Sequence, residues 1–154
     1  MEELRLLPLG TSDFVALRLR NQIYVDKSAL VYKVASQNGI FLFVRPRRFG
    51  KSLLISTFES LFKFGLRDFK DLAIEKLWIE KKIYNVVRLD FSEMRPDFGL
   101  KKFRDDLRDR LIDNFSSFGF RYDQAGSSIF KQLSVWLKKQ EPNSLVLLVD
   151  EYDT

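Results

Sequence analysis

Apolar positions change their period along this chain, and the changes mark out its elements. Residues 40 to 45, Ile-Phe-Leu-Phe-Val-Arg, form a short apolar run between Gly39 and Pro46, the pattern of a strand buried on both faces. It is the expected central first strand. Beyond Ser52, residues Leu54, Phe58, Leu61 and Phe62 recur at three- and four-residue intervals up to Gly65, which predicts a helix with one apolar face and a C-terminal glycine. A second strand is predicted at Tyr84 to Phe91, where Val86, Val87, Leu89 and Phe91 are apolar. A third is predicted at Leu145 to Val149, an unbroken apolar run after the Pro142-Asn143 turn signal.

Helices are expected between these strands. From about Leu100 to Phe118, residues Leu100, Phe103, Leu107, Leu111, Phe115 and Phe118 keep one stripe while Lys, Arg and Asp fill the other face. The cations Lys101, Lys102, Arg104, Arg108 and Arg110 alternate there with Asp105, Asp106, Asp109 and Asp113, as on a solvated helix face. From about Ser127 to Lys139 a shorter helix turns Ile129, Leu133, Trp136 and Leu137 inward. Upstream, Asn21 to Lys33 reads as a short extended piece, Ile23 to Val25, followed by a helix capped by Asp26 or Ser28. Strands alternating with helices predict an α/β layered sheet whose parallel strands are joined by right-handed crossovers. Residues 1–154 are expected to form the N-terminal part of one domain, with 1–39 as a lead-in segment and helix and 40–154 as its core.

Composition narrows the chemistry. With 154 residues, 45% of them hydrophobic, the chain is long enough for one domain with a core. It has no run of the roughly 18 apolar residues that a membrane helix requires, and its start, MEELRLLPLG, lacks the basic-then-apolar layout of a secretory signal. A cytoplasmic location without membrane contact is expected. The absence of cysteine and histidine excludes disulfides, zinc sites of the usual ligand types, thiol nucleophiles and histidine-based triads. Oxygen-ligated metals such as Mg²⁺ remain. The net charge of +5 suits a polyanionic partner, although charge alone speaks to solubility and non-specific association.

The central motif is Arg45-Pro46-Arg47-Arg48-Phe49-Gly50-Lys51-Ser52, placed between an apolar strand and a helix as a P-loop requires. Backbone N–H groups at the helix start point at phosphates, Gly50 permits close approach, and Lys51 supplies positive charge to the β- and γ-phosphates. Ser52 offers its hydroxyl to Mg²⁺. The expected nucleotide-binding set is Arg48, Phe49, Gly50, Lys51, Ser52 and Leu53. The usual pattern, G-x-x-x-x-G-K-[ST], has a glycine where this chain has Arg45, so the tolerance of positive φ is lost at that corner. Arg47 and Arg48 are open to three roles: touching phosphate, pairing with an acid, or projecting to a neighbouring subunit or nucleic acid.

A second constellation, Leu145-Val146-Leu147-Leu148-Val149-Asp150-Glu151, is an apolar strand ending in two acids, the form of a Walker B segment. Asp150 is expected to hold Mg²⁺ through water, with Ser52 as the other metal-associated side chain. Glu151 would polarise the attacking water. The expected catalytic residues are Glu151 and Lys51. Taken singly, the first motif could be a basic surface turn and the second a buried strand that surfaces at two acids. Their pairing favours a nucleotide site, since ligands in open α/β sheets sit outside the carboxyl ends of the strands.

On these residues the chain resembles the predicted AAA-ATPase-like domain often found N-terminal to a PD-(D/E)XK-type nuclease-like region. The resemblance covers nearly the whole chain. It is carried by Leu9-Gly10 with Asp13-Phe14, by Tyr24-Val25-Asp26-Lys27-Ser28, by Arg45 through Leu54, and by Val149-Asp150-Glu151-Tyr152-Asp153. The Arg-Pro-Arg-Arg-Phe-Gly-Lys-Ser run is a family hallmark, so Arg45 in place of glycine looks like a family feature.

The resemblance implies a P-loop NTPase-like three-layer sandwich with a mostly parallel sheet. It implies ATP binding by Gly50, Lys51 and Ser52, with Asp150 and Glu151 serving Mg²⁺ and water. It leaves Tyr24 to Ser28 either near the adenine or as a capped helix. In the arrangement it implies, the strand after Walker B lies between that strand and the P-loop strand and carries a polar γ-phosphate sensor, and a sensor arginine lies downstream. Ending at Thr154, the sheet is expected to be incomplete at its C-terminal side, as a fragment or with rearranged strands. A missing C-terminal region or a homo-oligomer is then an expected partner. The functional expectation is Mg-ATP binding, as an ATPase or a nucleotide-dependent switch serving a nucleic-acid-processing protein. The alternatives are a basic module that contacts nucleic acid and an ATP-binding domain without hydrolysis.

Overall fold

Asp13 begins the first helix. Its backbone is extended and its carboxylate accepts the Ala16 N–H at 2.8 Å, satisfying one of the amides that a helix start leaves without a partner. The helix α1 (Phe14–Leu19) buries Phe14 and Leu17, and the Phe14 ring packs against Tyr24 and Phe69. This is a computed structural model, and it describes residues 5–92 and 99–151. The chain divides into two compact units, Met1–Ile83 and Tyr84–Thr154.

In the first unit, α2 (Ser28–Ala35) starts in an unexpected way. Lys27 occupies the cap position and makes no side-chain cap bond. Asp26, one residue earlier, accepts the Ser28 N–H at 2.8 Å through Oδ1. Its Oδ2 accepts the Ala73 N–H at 2.8 Å, and the Ser28 hydroxyl accepts the Ile74 N–H at 3.0 Å. Both side chains therefore also cap the 3₁₀ turn Ala73–Lys76, which the apolar periodicity did not predict. The long helix α3 (Lys51–Phe64) buries Phe58, Leu61 and Phe62 as its spacing predicts. It closes at Gly65, whose φ of 62° is a conformation that side chains with a Cβ resist.

α3 also buries Ser56, Thr57 and Ser60, and each is satisfied. The Ser56 hydroxyl accepts the Phe14 N–H at 2.9 Å, Thr57 donates to the Leu53 carbonyl at 2.8 Å, and Ser60 donates to Asp68 at 2.6 Å. The first bond ties the start of α1 to α3.

The expected first strand at residues 40 to 45 is not formed. These residues carry no regular secondary structure, and Ile40, Leu42 and Val44 are exposed. Phe43 alone of the run is half-buried, with its ring near Phe58. A strand exists only as part of a ladder, and among the described residues the sheet has two strands, neither of them from this segment.

The second unit is built on those two strands, β1 (Asn85–Asp90) and β2 (Leu145–Asp150). They pair in parallel, as predicted, from Asn85 opposite Leu145 to Asp90 opposite Asp150. The connection between them carries α4 (Leu100–Ser116) and α5 (Ile129–Leu137). Its core joins Val87 and Leu89 to Leu111, Phe115, Phe120, Ile129 and Leu133. The Trp136 ring stands edge-on to both Phe115 and Phe120.

The helices are shorter than their apolar stripes. α4 ends at Ser116, before Phe118, and its first residue, Leu100, is exposed. Leu137, expected to point inward, is also exposed at the end of α5. Apolar spacing marks a face but not how far a neighbour covers it. Tyr152 and Asp153, which belong to the last resemblance segment, lie outside the described residues. The described residues make a mixed helix-and-strand α/β structure, and none of their helices is long and apolar enough to cross a membrane.

Candidate functional site

The loop from Arg45 to Gly50 turns without a glycine at its first corner. Positive φ falls instead at Arg48, 67°, and at Gly50, 75° with ψ 24°. Arg45 is not among the positive-φ residues, so its Cβ meets no penalty of the kind expected there. Gly50 is the N-cap of α3, and a Cβ built on it would meet nothing within 4 Å. Space above the helix start is therefore open, and the backbone angle is what calls for glycine.

α3 makes its first backbone bond from the Leu54 N–H to the Gly50 carbonyl at 3.0 Å. The amides of Lys51, Ser52 and Leu53 thus precede the helical ladder. No side chain caps this end, and no acidic residue sits in the first turn. Such an end favours an anion through both its N–H groups and the helix dipole. Lys51, Ser52 and Leu53 are half-buried, whereas Arg45, Arg47, Arg48 and Phe49 are exposed.

In the second unit, Asp150 closes β2 with only 4% of its surface exposed. Its Oδ2 lies 3.3 Å from Nη2 of Arg88, and its Oδ1 accepts the Glu151 N–H at 3.1 Å. Glu151 follows with φ 53°, a sparsely populated conformation for a residue with a side chain. Asp90 sits opposite Asp150 in the ladder. Its Oδ1 accepts the Ser92 N–H at 2.8 Å, and its backbone carbonyl accepts from Arg110 at 2.9 Å. Burial pulls the Asp90 carboxyl upward, but the Ser92 bonds and the Arg88 and Arg110 charges outweigh it and hold the group below the usual carboxylate range.

The predicted residues thus fall into two groups. Arg48, Phe49, Gly50, Lys51, Ser52 and Leu53 come together at the start of α3, in the first unit. Asp150 and Glu151 come together at the end of β2, in the second. Among the described residues there is no cluster of three or more carboxylates, histidines or cysteines to cage a metal. The Ser52 hydroxyl and the Asp150 carboxylate are hard oxygen donors. Each, in its own unit, is a donor of the type Mg²⁺ takes, an ion that keeps several waters and is commonly bound through one or two protein groups plus phosphate.

The sequence profile of the family described as predicted AAA-ATPase matches residues 8–154. The chain belongs to this family. A relative, an uncharacterized protein from the vnfD 5′ region of Azotobacter chroococcum mcd 1, is 28% identical over 153 residues, or 96% of the chain. The chain spans 29% of that relative's length. No solved structure matches the chain.

Within the first unit, Tyr24 to Ser28 joins several elements. Asp26 and Ser28 bond backbone amides of two elements. Tyr24 packs edge-on against Phe14, and burial, only partly offset by its hydroxyl bond with Thr57, pushes its phenol up. Of the two roles left open for this segment, the capped helix matches these contacts. Sequence reasoning missed Arg88, Asp90 and Arg110. The signal for Arg88 was present, since a lone cation interrupts the otherwise apolar run from Val86 to Leu89. Its partner could not be read without the register.

Proposed function

We propose that the protein binds Mg-ATP through a P-loop at residues 45–52 and acts as an ATPase or nucleotide-dependent switch, in a P-loop NTPase-like three-layer sandwich. The observation that carries this reading is the uncapped start of α3, where Gly50-Lys51-Ser52 combines open space, amides outside the helical ladder and a cation, in a member of the predicted AAA-ATPase family.

In this reading the Arg48 to Leu53 segment wraps the phosphates and Lys51 neutralises charge on the β- and γ-phosphates. Ser52, through its hydroxyl, and Asp150, through its carboxylate, would serve Mg²⁺. When bound, the metal supplies charge stabilisation at the transferring phosphoryl group. Glu151 orients and polarises the attacking water. The proposed location is the cytoplasm. Family membership supports nucleotide use generally, and the residue roles are this proposal's own.

Catalysis is tested separately from binding. Glu151→Gln is expected to bind Mg-ATP as the parent does and to release phosphate roughly 10²- to 10⁴-fold more slowly. Parental phosphate release in that variant would remove Glu151 from the chemistry. A folded parent that binds without releasing phosphate would make the protein a binding-only switch.

One observation favours a second activity of the same loop. Arg45, Arg47 and Arg48 are exposed beside Phe49, which is 64% exposed. Such a basic and aromatic edge suits a nucleic-acid strand, whose phosphates the arginines would neutralise and whose bases the ring would stack. Affinity for single-stranded DNA that falls steeply with salt, and falls again in Arg47→Ala, is expected. Salt-independent binding would contradict it.

A further inference from the structure

Asp150 is a buried carboxylate at the end of a strand, and a charge so placed requires both compensation and aim. The ladder provides a partner. Parallel pairing sets Asp90 opposite Asp150 and Arg88 opposite Leu148. Side chains two residues apart on a strand share a face, so Arg88 projects on the same side of the sheet as Asp150. Its Nη2 approaches Asp150 Oδ2 at 3.3 Å, with 29% of the Arg88 side chain exposed.

The other carboxylate oxygen, Oδ1, is held by the Glu151 N–H at 3.1 Å. Both oxygens thus have a donor, Oδ2 a side chain of β1 and Oδ1 the next backbone amide after β2, and the two bonds set the carboxylate plane. Each oxygen keeps a further lone pair. Arginine suits this place better than lysine because its planar guanidinium is always charged and its donors hold a fixed direction. Asp90, opposite Asp150 and two residues from Arg88, places a second carboxylate on the same face of the sheet.

We infer that Arg88 is the positioning residue for the Mg²⁺-serving carboxylate: its bond to Oδ2 fixes Asp150 in the orientation in which its remaining lone pairs would serve the ion. The inference rests on the Mg-ATP reading above and adds to it a residue that touches neither nucleotide nor metal. Partners of this kind hold metal-serving groups in their working orientation, and their loss typically weakens metal affinity by roughly 10- to 100-fold.

The test is ATP affinity measured with excess Mg²⁺ and again with EDTA, for the parent, Arg88→Met, Arg88→Lys, Asp150→Asn and the Arg88→Met/Asp150→Asn double variant. The ratio of the two affinities isolates the metal's contribution from folding and from the P-loop. Arg88→Met is expected to lower that ratio roughly 10- to 100-fold with the EDTA affinity unchanged. Arg88→Lys is expected to keep part of it, and Arg88→Met to add no further loss in the Asp150→Asn background.

An unchanged ratio in folded Arg88→Met would overturn the inference. So would an increased ratio, which would mean that the guanidinium competes with the metal. Should Arg88→Met fail to fold, Arg88→Lys decides: a partial loss supports the assignment, and a parental ratio overturns it. A folded parent that binds no ATP in either condition overturns the P-loop reading itself, an outcome distinct from a parental ratio in the Arg88 variants.

Discussion

Gly50 and Arg48 show how the phosphate loop departs from expectation at the scale of single residues. The usual motif places its first glycine five residues before the second, and the sequence suggested strain where Arg45 replaces it. Backbone angles put the left-handed conformations at Arg48 and Gly50 instead. Residue identity along the loop was legible, but φ was not, because which corner turns is decided by the path into α3. Gly50→Ala meets no steric neighbour yet must hold φ 75°, so it is expected to lose about 1 kcal/mol of stability, or about 2–4 °C in Tm, by thermal melting. An unchanged melting temperature would show that the loop relaxes without penalty.

At the scale of elements, α3, α4 and α5 were legible because their faces meet cores within the same unit, whereas the short α1 was not foreseen. Phe58, Leu61 and Phe62 on α3, and Leu111 and Phe115 on α4, are buried as their spacing predicts. β1 and β2 were legible too, including their parallel sense. Residues 40 to 45 were not, since apolarity records a preference for burial, whereas a strand also needs a neighbour to bond. The start of α2 was half legible. Asp26 does cap, but it and Ser28 also serve the turn at Ala73–Lys76, a pairing 46 residues apart for Ser28 that no local pattern reveals.

Asp26→Ala removes the acceptor for two backbone amides and is expected to cost about 1–2 kcal/mol by denaturant unfolding. The Asp26 carboxyl carries a pH signature as well. Partial burial pushes it up, but bonds from Ser28 and Ala73 together with the Arg18 charge outweigh that and hold it below the usual range. A depressed folded value means that its contribution is complete above the ordinary carboxylate value of about 3.9 and is lost as pH falls through the folded value beneath it. Asp68 and Asp90 shift the same way. Stability is therefore expected to decline on acidification below about pH 4, and Asp26→Asn to decline less steeply. Equal slopes would exclude Asp26 from that loss.

For the molecule as a whole, each unit carries its own core. Leu61 is fully buried in the first and Phe115 is 4% exposed in the second. Leu61→Ala is expected to cost about 2–5 kcal/mol and Phe115→Ala about 3–5 kcal/mol, read from shifted urea midpoints. A loss under about 1 kcal/mol for either would mean that its surroundings collapse onto the cavity. The proposed roles fall on the start of α3 in the first unit, with Gly50, Lys51 and Ser52, and on the end of β2 in the second, with Asp150 and Glu151 following it. Motif spacing is what nominates these groups as candidates. Arg88 became visible only once the ladder placed it beside Asp150.

The most direct test of the central claim is a calorimetric titration of Mg-ATP into the folded protein and into folded Lys51→Ala. The account predicts binding by the parent and a loss of about 1.5–3 kcal/mol in the variant, roughly 10- to 150-fold, as for a hydrogen bond to a charged group. Equal affinity in the two proteins, or no binding by the parent, would contradict a working P-loop at Gly50-Lys51-Ser52.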